Sequence, residues 1–224
     1  LLTLTDVIMP THRVQAAVVQ TGPFRKRRGW HSLKFVSLAQ DSKDETNYVA
    51  APFATLDEVW RIAQAATIAA PDGDERLQKG AAKYWLTQLL FIVPIMLTAM
   101  AALVIFADAP LSRTTLLLLL LALPAALFWF DWRQYRFGLD GHQLYLKRGW
   151  WRQQLTIAPQ VKVQTVEIAQ GPLSRRQGLA SLRFGLAGGT MEMIALPLAT
   201  AVVIRDAVME KIAAVDYSEI NQSH

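Results

Sequence analysis

A gapless internal repeat is the feature of this sequence that most constrains its fold. Residues 14–35 read VQAAVVQTGPFRKRRGWHSLKF, and residues 163–184 read VQTVEIAQGPLSRRQGLASLRF. Nine of the 22 aligned positions are identical, whereas unrelated segments would share about one or two. The matches are Val-Gln, Gly-Pro, a basic turn, Gly, and a final Ser-Leu-basic-Phe. The sequence therefore predicts two versions of one small folding unit.

The second version of the unit is predicted to consist of short strands followed by a helix. Strand runs with one apolar face alternate with turn signals, including a hairpin at Asp140 and Gly141, where we expect positive φ at both positions. A change of apolar phase between Val163 and Val166 indicates a β-bulge or a strong twist. From Thr200 onward the apolar spacing becomes helical. Short strands with one apolar face must curl or stack to bury that face.

The first version of the unit lacks the strands that open the second. Its residues 7–10, VIMP, parallel residues 156–159, TIAP, which end the third predicted strand of the second version, so the first two strands have no counterpart. Thr55 and Glu58 predict a capping box at the start of the helix that closes the first version. We therefore expect an exposed sheet edge in the first version unless residues upstream supply the missing strands.

Two long uncharged segments lie between the repeats. Residues 85–107 are 23 positions without a charge, and residues 114–130 are 17 more, extending to about residue 110 if Arg113 lies at an interface. A helix of about 20 apolar residues crosses the hydrocarbon layer of a bilayer. We therefore predict a transmembrane helical hairpin over residues 85–130, with helices at 85–107 and about 110–130. The alternative is a pair of helices buried in a large core, which a run of six leucines disfavours.

The connection between the two uncharged segments indicates the topology of the predicted hairpin. Residues 108–113 allow only a tight turn, so both flanks must lie on one side of the membrane. The flanks carry seven Lys or Arg residues and the turn carries one. Positive charge marks the cytoplasmic side of a membrane protein. The prediction is a multi-pass protein of the bacterial cytoplasmic (inner) membrane, with its soluble domains facing the cytoplasm.

The order of motifs in the second unit resembles the bacterial pleckstrin-homology (PH) family found in membrane-flanked proteins. The motifs are I-x-P, Val-Gln, Gly-Pro, a basic pair, G-L-A-S-L and Gly-Gly, at residues 157–159, 163–164, 171–172, 175–176, 178–182 and 188–189. The resemblance covers residues 133–216 and, without the opening strands, residues 1–68. It implies PH-like domains attached to transmembrane helices, with no established catalysis.

Together these features predict a membrane protein of the α+β class. Two PH-like small β-barrel or sandwich domains, each with a C-terminal helix, are separated by the two-helix transmembrane hairpin. The predicted organisation is a PH-like domain at 1–68 that is incomplete at its N-terminus, a linker at 69–84, the hairpin at 85–130, a PH-like domain at 133–216 and a tail at 217–224.

No arrangement of residues in the sequence predicts catalysis, a metal site or a cofactor. The chain has no cysteine, and its four histidines are isolated in sequence without ligand spacing. The nucleophile-elbow, P-loop and zinc-protease motifs are absent from the sequence. A membrane enzyme therefore has no candidate nucleophile or base, and we expect a protein that is not an enzyme and binds no cofactor.

Two turns that combine positive charge with tryptophan are the candidate binding sites. They comprise Arg25, Lys26, Arg27, Arg28 and Trp30 in the first repeat, and Lys147, Arg148, Trp150, Trp151 and Arg152 in a predicted hairpin. The second repeat keeps only Arg175 and Arg176 of the first cluster. Each Lys or Arg near an anionic membrane contributes about 1 kcal/mol, and indole rings settle at the level of the headgroups. The alternative is that these are ordinary solvated turn charges.

The functional hypothesis is a non-catalytic, membrane-anchored scaffold or regulator. Its cytoplasmic PH-like domains would bind membrane lipids, anionic ones in particular, or a partner protein, or a second copy of the chain. The alternative is a component of a membrane export or antimicrobial-tolerance system, which the lack of ionisable residues inside the uncharged segments disfavours. Nucleic acid is not expected as a partner, because a net charge of +5 is modest and the basic residues form no single stripe.

Overall fold

The computed structural model describes residues 10–37, 47–71, 77–106, 123 and 126–214. The strands are β1 Val14–Thr21, β2 His31–Ser37, β3 Asn47–Ala54, β4 Gln78–Lys79, β5 Arg136–Leu139, β6 Gln143–Arg148, β7 Gln153–Pro159, β8 Val163–Ala169, β9 Leu179–Leu186 and β10 Gly189–Pro197. The helices are α1 Pro23–Arg27, α2 Leu56–Ala65, α3 Ala82–Phe106, α4 at residues 126–134, α5 Pro172–Arg176 and α6 Leu198–Ala213. The turn predicted at 108–113, most of the second uncharged segment and the tail at 217–224 lie outside the described residues.

The described strands form two antiparallel sheets. The larger sheet has the order β3-β2-β1-β7-β6-β5-β4, and the smaller has the order β10-β9-β8. The first unit (β1 to α2, residues 14–65) joins the second unit (β5 to α6, residues 136–213) because β1 pairs with β7, with Val19 opposite Leu155. The predicted fold of two small barrel or sandwich domains is therefore wrong, because strands of both units share one seven-stranded sheet. The strand edge that we expected to be open in the first unit is covered, at β1, by the opening strands of the second.

The two units repeat the same local geometry. Each has a five-residue helix that begins with proline, α1 or α5, followed by a glycine in the left-handed region: Gly29 has φ +69° and Gly178 has φ +68°. The β1–β2 ladder shifts register between Val14 and Ala16, and β8–β9 shifts at the aligned place. The irregularity predicted between Val163 and Val166 is therefore confirmed as a shift of strand register, and it recurs in the first unit.

The middle of the larger sheet contributes to two hydrophobic cores. Side chains alternate between the faces of a strand. On β6, Leu144 and Leu146 pack into a core with β8, β9, β10 and α6. Tyr145, between them, packs with Ile157 of β7 into a second core beneath Val59 of α2. Because β6 and β7 are covered on both faces, they fix the position of one unit against the other.

The α2 capping box predicted from the sequence is confirmed. The backbone N–H of Thr55 donates to Oε2 of Glu58 over 2.8 Å, and the Thr55 side chain accepts from the Glu58 backbone. Hydrogen bonds from the Thr55 backbone and side chain lower the pKa of Glu58. The helix therefore begins at Leu56, with Val59 and Ala63 turned into the second core.

The prediction of a transmembrane hairpin is contradicted. Within the part of the chain that the structure describes, no helix has the combined length and apolarity that a bilayer crossing requires. The sequence argument counted residues without charge, and that count includes Thr87, Gln88 and Thr98 as well as Pro94 inside α3. The hydroxyl of Thr98 donates to the carbonyl oxygen of Pro94 over 2.8 Å. The described part of the chain is therefore an α+β fold built on a large antiparallel sheet.

Tyr135 packs into the first core, the one that contains Leu144 and Leu146, next to a point where the register of β10 shifts. Its hydroxyl oxygen accepts a 2.7 Å hydrogen bond from the Ile194 backbone N–H, beside Ala195, which has φ +60°. We expect Tyr135→Phe to lower the free energy of unfolding by about 1–3 kcal/mol, because a partly buried N–H loses its acceptor. Urea unfolding of the full chain measures this. Tyr48→Phe, in a half-buried strand position, is the control, and equal effects of the two changes would contradict the account.

The same tyrosine makes stability dependent on alkaline pH. Burial raises the pKa of Tyr135 well above its ordinary value, which is about 10. The unfolded chain ionises first, so the stabilising contribution is complete below about pH 10 and is lost as the pH rises above it. We expect Tyr135→Phe to show a shallower alkaline loss of stability than the unaltered chain. If the free energy of unfolding fell by the same amount in both proteins as the pH rose above 10, this account would be contradicted.

Candidate functional site

The larger sheet brings together the two tryptophan-containing turns that the sequence singled out. In the β1–β7 ladder, Thr21 lies opposite Gln153 and Gln20 opposite Gln154. The turn after β1 and the turn before β7 therefore leave the sheet side by side. Nζ of Lys26 donates to Oε1 of Gln153 over 3.3 Å across this junction. Two turns about 125 residues apart in sequence thus form one surface.

We call this surface the aromatic–cationic face. It comprises Phe24, Arg25, Lys26, Arg27, Arg28, Trp30, Phe53, Trp150, Trp151 and Arg152. All ten residues are exposed. The face draws on both units, and nine of its members come from two short turns.

The first turn is ordered by backbone hydrogen bonds and by a glycine. Pro23 opens α1, and Gly29 at φ +69° allows the chain to reverse after it. The Trp30 N–H donates to the Arg25 carbonyl oxygen over 2.9 Å. The Thr21 hydroxyl donates to the Trp30 carbonyl oxygen over 3.1 Å. Consecutive basic residues on a helical turn project in different directions, about 100° apart, so the charges spread around the tip.

Two guanidinium groups of this turn stack on aromatic rings. The Arg25 guanidinium carbon lies 4.8 Å from the ring centroid of Phe53, and that of Arg28 lies 5.3 Å from the ring of Trp30. The Trp30 and Phe53 rings are themselves 5.7 Å apart, edge to face. Cation–π contacts of this kind contribute about 0.5–1 kcal/mol at exposed sites. They hold the charges beside the rings and leave the guanidinium hydrogens available to a ligand.

The second turn extends the aromatic surface toward α4. Trp151 lies 6.3 Å from Phe24 of the first turn and 5.4 Å from Trp150, as ring centroids. Trp150 in turn lies 6.4 Å from Phe130 of α4. Phe24 is 72 % exposed and Trp151 is 51 % exposed. These values matter because large apolar rings collected at one exposed place mark an interaction surface.

Gly149 shapes the second turn. Its φ is +89°, and a Cβ added there would collide with the backbone carbonyl oxygen of Arg152. The chain thus folds back on itself over four residues and leaves the side chains of Trp150 and Trp151 in solvent. The position requires glycine both for its dihedral angle and for the close approach of the backbone.

Two cavities among the described residues are lined by basic residues of the aromatic–cationic face, and a further cavity, of about 650 Å³, shares only Phe53 with the face and is lined by Glu58 and Arg61 of α2. The larger of the two on the face, of about 480 Å³, lies over the sheet and is lined by Gln20, Thr21, Gly22, Pro23, Phe24, Arg25, Ser32, Lys34, Val49, Pro52, Phe53, Trp151 and Arg152. The smaller, of about 470 Å³, is lined by Phe24, Arg25, Arg27, Arg28, Trp30 and Phe53. Neither lining contains a carboxylate, so the electrostatic field in both cavities favours an anion.

The remaining candidate residues lie apart from the cavities. Lys147 is half-buried on β6, where it lies opposite Arg136, and Arg148 ends the same strand opposite Gln154. Arg175 and Arg176 lie on α5, between two strands of the smaller sheet, and line neither cavity. The structure therefore joins the first basic turn to the Trp150 turn and places the α5 pair elsewhere.

Four residues of this region were not among the candidate residues named from the sequence. Phe24 and Phe53 supply exposed rings, and Ser32 and Lys34 line the larger cavity. Phe24 had a detectable signal, because the second repeat has leucine at the aligned position. The other three enter the site only through strand pairing, which the sequence does not reveal. Among the described residues, no three His, Asp or Glu side chains converge as metal ligands would.

The fold and this surface define a β-sheet binding module with an exposed face of aromatic and cationic side chains. The family model described as bacterial PH domain matches residues 86–212, which is more than half of the 224 residues. The chain belongs to the bacterial PH domain family, and PH domains are in general non-catalytic modules that bind lipids or proteins. No curated protein and no solved structure matches the chain significantly.

Proposed function

We propose that this protein is a non-catalytic module that binds an anionic lipid surface through the aromatic–cationic face, at the inner leaflet of the bacterial cytoplasmic membrane. In this proposal, residues 14–65 are a second, partial PH-like copy. The observation that carries the proposal is the pairing of β1 with β7, which unites the two tryptophan-containing turns. Neither turn alone offers an extended face of this kind.

The internal repeat provides a built-in comparison that favours a binding role for the first turn. The second unit has the same helix and the same left-handed glycine. At the positions of Phe24, Arg25, Arg28 and Trp30, however, it has leucine, serine, glutamine and leucine. The scaffold therefore forms without the aromatic rings and the arginines at these four positions. Their presence in one unit only is better explained by a ligand than by folding.

The chemistry of the face suits a lipid headgroup layer more closely than a protein partner. Cations near an anionic membrane contribute about 1 kcal/mol each, and tryptophan rings settle among the headgroups. Phe24 and Trp151 project at the same edge as Arg25 and Arg152, so both interactions can form at once. The cavity linings contain no carboxylate.

The test is co-sedimentation of the full chain with phosphatidylcholine vesicles, with and without phosphatidylglycerol. We expect binding to require phosphatidylglycerol and to weaken as salt is added. Lys26→Gln/Arg27→Gln should reduce the affinity about 30-fold, because two cations of about 1 kcal/mol each are removed. Binding that is equal on both kinds of vesicle would contradict the proposal.

The repeat also supplies the matched control. Arg175→Gln/Arg176→Gln makes the same charge change at the aligned positions of α5, outside the face. We expect that variant to change the affinity by no more than about twofold. If the two double variants weakened binding equally, net charge rather than the aromatic–cationic face would be responsible. Capture of a protein instead of vesicles would favour the other binding role of PH domains.

A further inference from the structure

We propose that the larger cavity is a seat for a single phosphate ester, held at the junction of the two units. The inference rests on the proposed function and names the chemical group that the face recognises. A lipid headgroup and a free phosphate ester share this chemistry, so the experiment must distinguish them. The cavity volume of about 480 Å³ falls in the range of small-ligand sites, roughly 300–1,000 Å³.

The floor of the cavity is the face of the larger sheet opposite α2. On β2, Leu33 and Phe35 point into the second core, so Ser32 and Lys34 alternate onto the other face. Ser32 lies opposite Gln20 on β1. Ser32 is only 5 % exposed, which places a hydroxyl at the base of the cavity. The floor thus offers a hydroxyl, an amide and an ammonium group.

Three cations surround this floor. Lys34 lies on the strand, Arg25 comes from the first turn, and Arg152 comes from the second. No ion pair joins any of the three to a carboxylate within the described part of the chain. Guanidinium groups bind phosphate through paired N–H donors, and an ammonium group binds it as a point charge. Three cations without a carboxylate among the lining residues match a phosphate ester.

The mouth of the cavity favours a lipid over a free ester. Phe24 and Trp151 stand at the mouth with their rings 6.3 Å apart, and both are exposed. A headgroup phosphate seated beside Lys34 would leave its glycerol and acyl chains at these rings. Apolar surface at the mouth has a partner in that arrangement, whereas a free ester in water would leave it exposed.

The first arm of the experiment uses a free probe. Glycerophosphoglycerol, a phosphodiester without acyl chains, is titrated into the full chain and followed by amide NMR shifts and calorimetry. We expect saturable shifts at β2 and at both turns, and a loss of affinity of at least about tenfold in Lys34→Gln. Lys34→Arg should restore binding, and Arg175→Gln should leave it unchanged. A probe that does not saturate, or that binds Lys34→Gln as tightly as the unaltered chain, overturns the seat.

The second arm separates the two sources of phosphate. Trp150 belongs to the face but does not line the cavity. We expect Trp150→Ala to bind glycerophosphoglycerol as the unaltered chain does, yet to bind phosphatidylglycerol vesicles more weakly. Vesicle binding without probe binding overturns the seat and leaves the lipid-surface proposal standing. Probe binding without vesicle binding supports the seat and overturns the lipid-surface proposal.

Discussion

Replacing Trp150 and Trp151 together by alanine is expected to lower the affinity for phosphatidylglycerol vesicles about 100-fold. Burial of a large apolar side chain contributes about 1.5–3 kcal/mol, and these two rings are partly exposed before binding. A loss of about 1.5 kcal/mol for each ring gives a total near 3 kcal/mol, which corresponds to about two orders of magnitude in affinity. Co-sedimentation at fixed salt measures this effect.

The same substitution should leave the folded state intact. Neither tryptophan belongs to a hydrophobic core, and both contact rings of the aromatic–cationic face. A matched control is Val203→Ala/Met209→Ala, which removes two exposed apolar side chains from α6. We expect the control to bind vesicles as the unaltered chain does. An equal loss in the control would show that exposed apolar area anywhere on the molecule drives binding.

Gly149→Ala is expected to disturb both stability and binding. The added methyl group meets the Arg152 carbonyl oxygen and must adopt φ near +89°. Strain of this kind costs about 1–3 kcal/mol, and the turn can relieve it only by changing shape. That change moves Trp150 and Trp151 relative to Phe24. The midpoint temperature of thermal unfolding and the affinity for phosphatidylglycerol vesicles should therefore both fall.

Gly141→Ala is the control for the glycine substitution. Gly141 lies in the preceding hairpin, between β5 and β6, and its φ is not positive. A Cβ added there would meet nothing within 4 Å. We expect its effect to stay within about 0.5 kcal/mol and vesicle binding to be unchanged. If Gly149→Ala behaved like Gly141→Ala, the second turn would not depend on the backbone approach that we describe.

Local features of the fold could be predicted because each is determined by a few neighbouring residues. The α2 capping box depends on Thr55 and Glu58 alone, and the register shift after Val163 follows from a local change of phase. The hairpin at Asp140 was predicted, but its turn type was wrong. Neither Asp140 nor Gly141 has positive φ, and the Asp140 carboxylate instead accepts from the Gly141 N–H over 2.6 Å. A dipeptide indicates a reversal without specifying its dihedral angles.

The joining of the two units could not be predicted, because it depends on strands distant in sequence. The aligned strands β1 and β8 do differ in sequence, however, in a way that the structure explains. Val18 on β1 is buried between β2 and β7, whereas the aligned Glu167 on β8 is exposed at a sheet edge. A charge on an edge strand discourages pairing with other chains. An apolar strand aligned with a charged one was thus a signal that the former has a second neighbour.

Only part of the candidate site could be predicted from the sequence. The charges and tryptophans of both turns could be read directly, but nothing local placed Lys26 beside Gln153. Conversely, Arg175 and Arg176 looked equivalent to the first basic turn, and the structure puts them on α5, outside both cavities. Composition identifies side chains suited to a ligand, and only topology decides which of them can reach the same molecule.

The double-sided middle strands have a consequence for how this sequence can change. On β6, Tyr145 serves one core while Leu144 and Leu146 serve the other. Deleting or inserting a single residue there would send each side chain to the opposite face, so the Tyr145 ring would enter the core that holds the two leucines, and a leucine would take its place in the other core. Residues of β6 can therefore be substituted one at a time, but its length is fixed. Because β6 packs into both cores, the two units must evolve together.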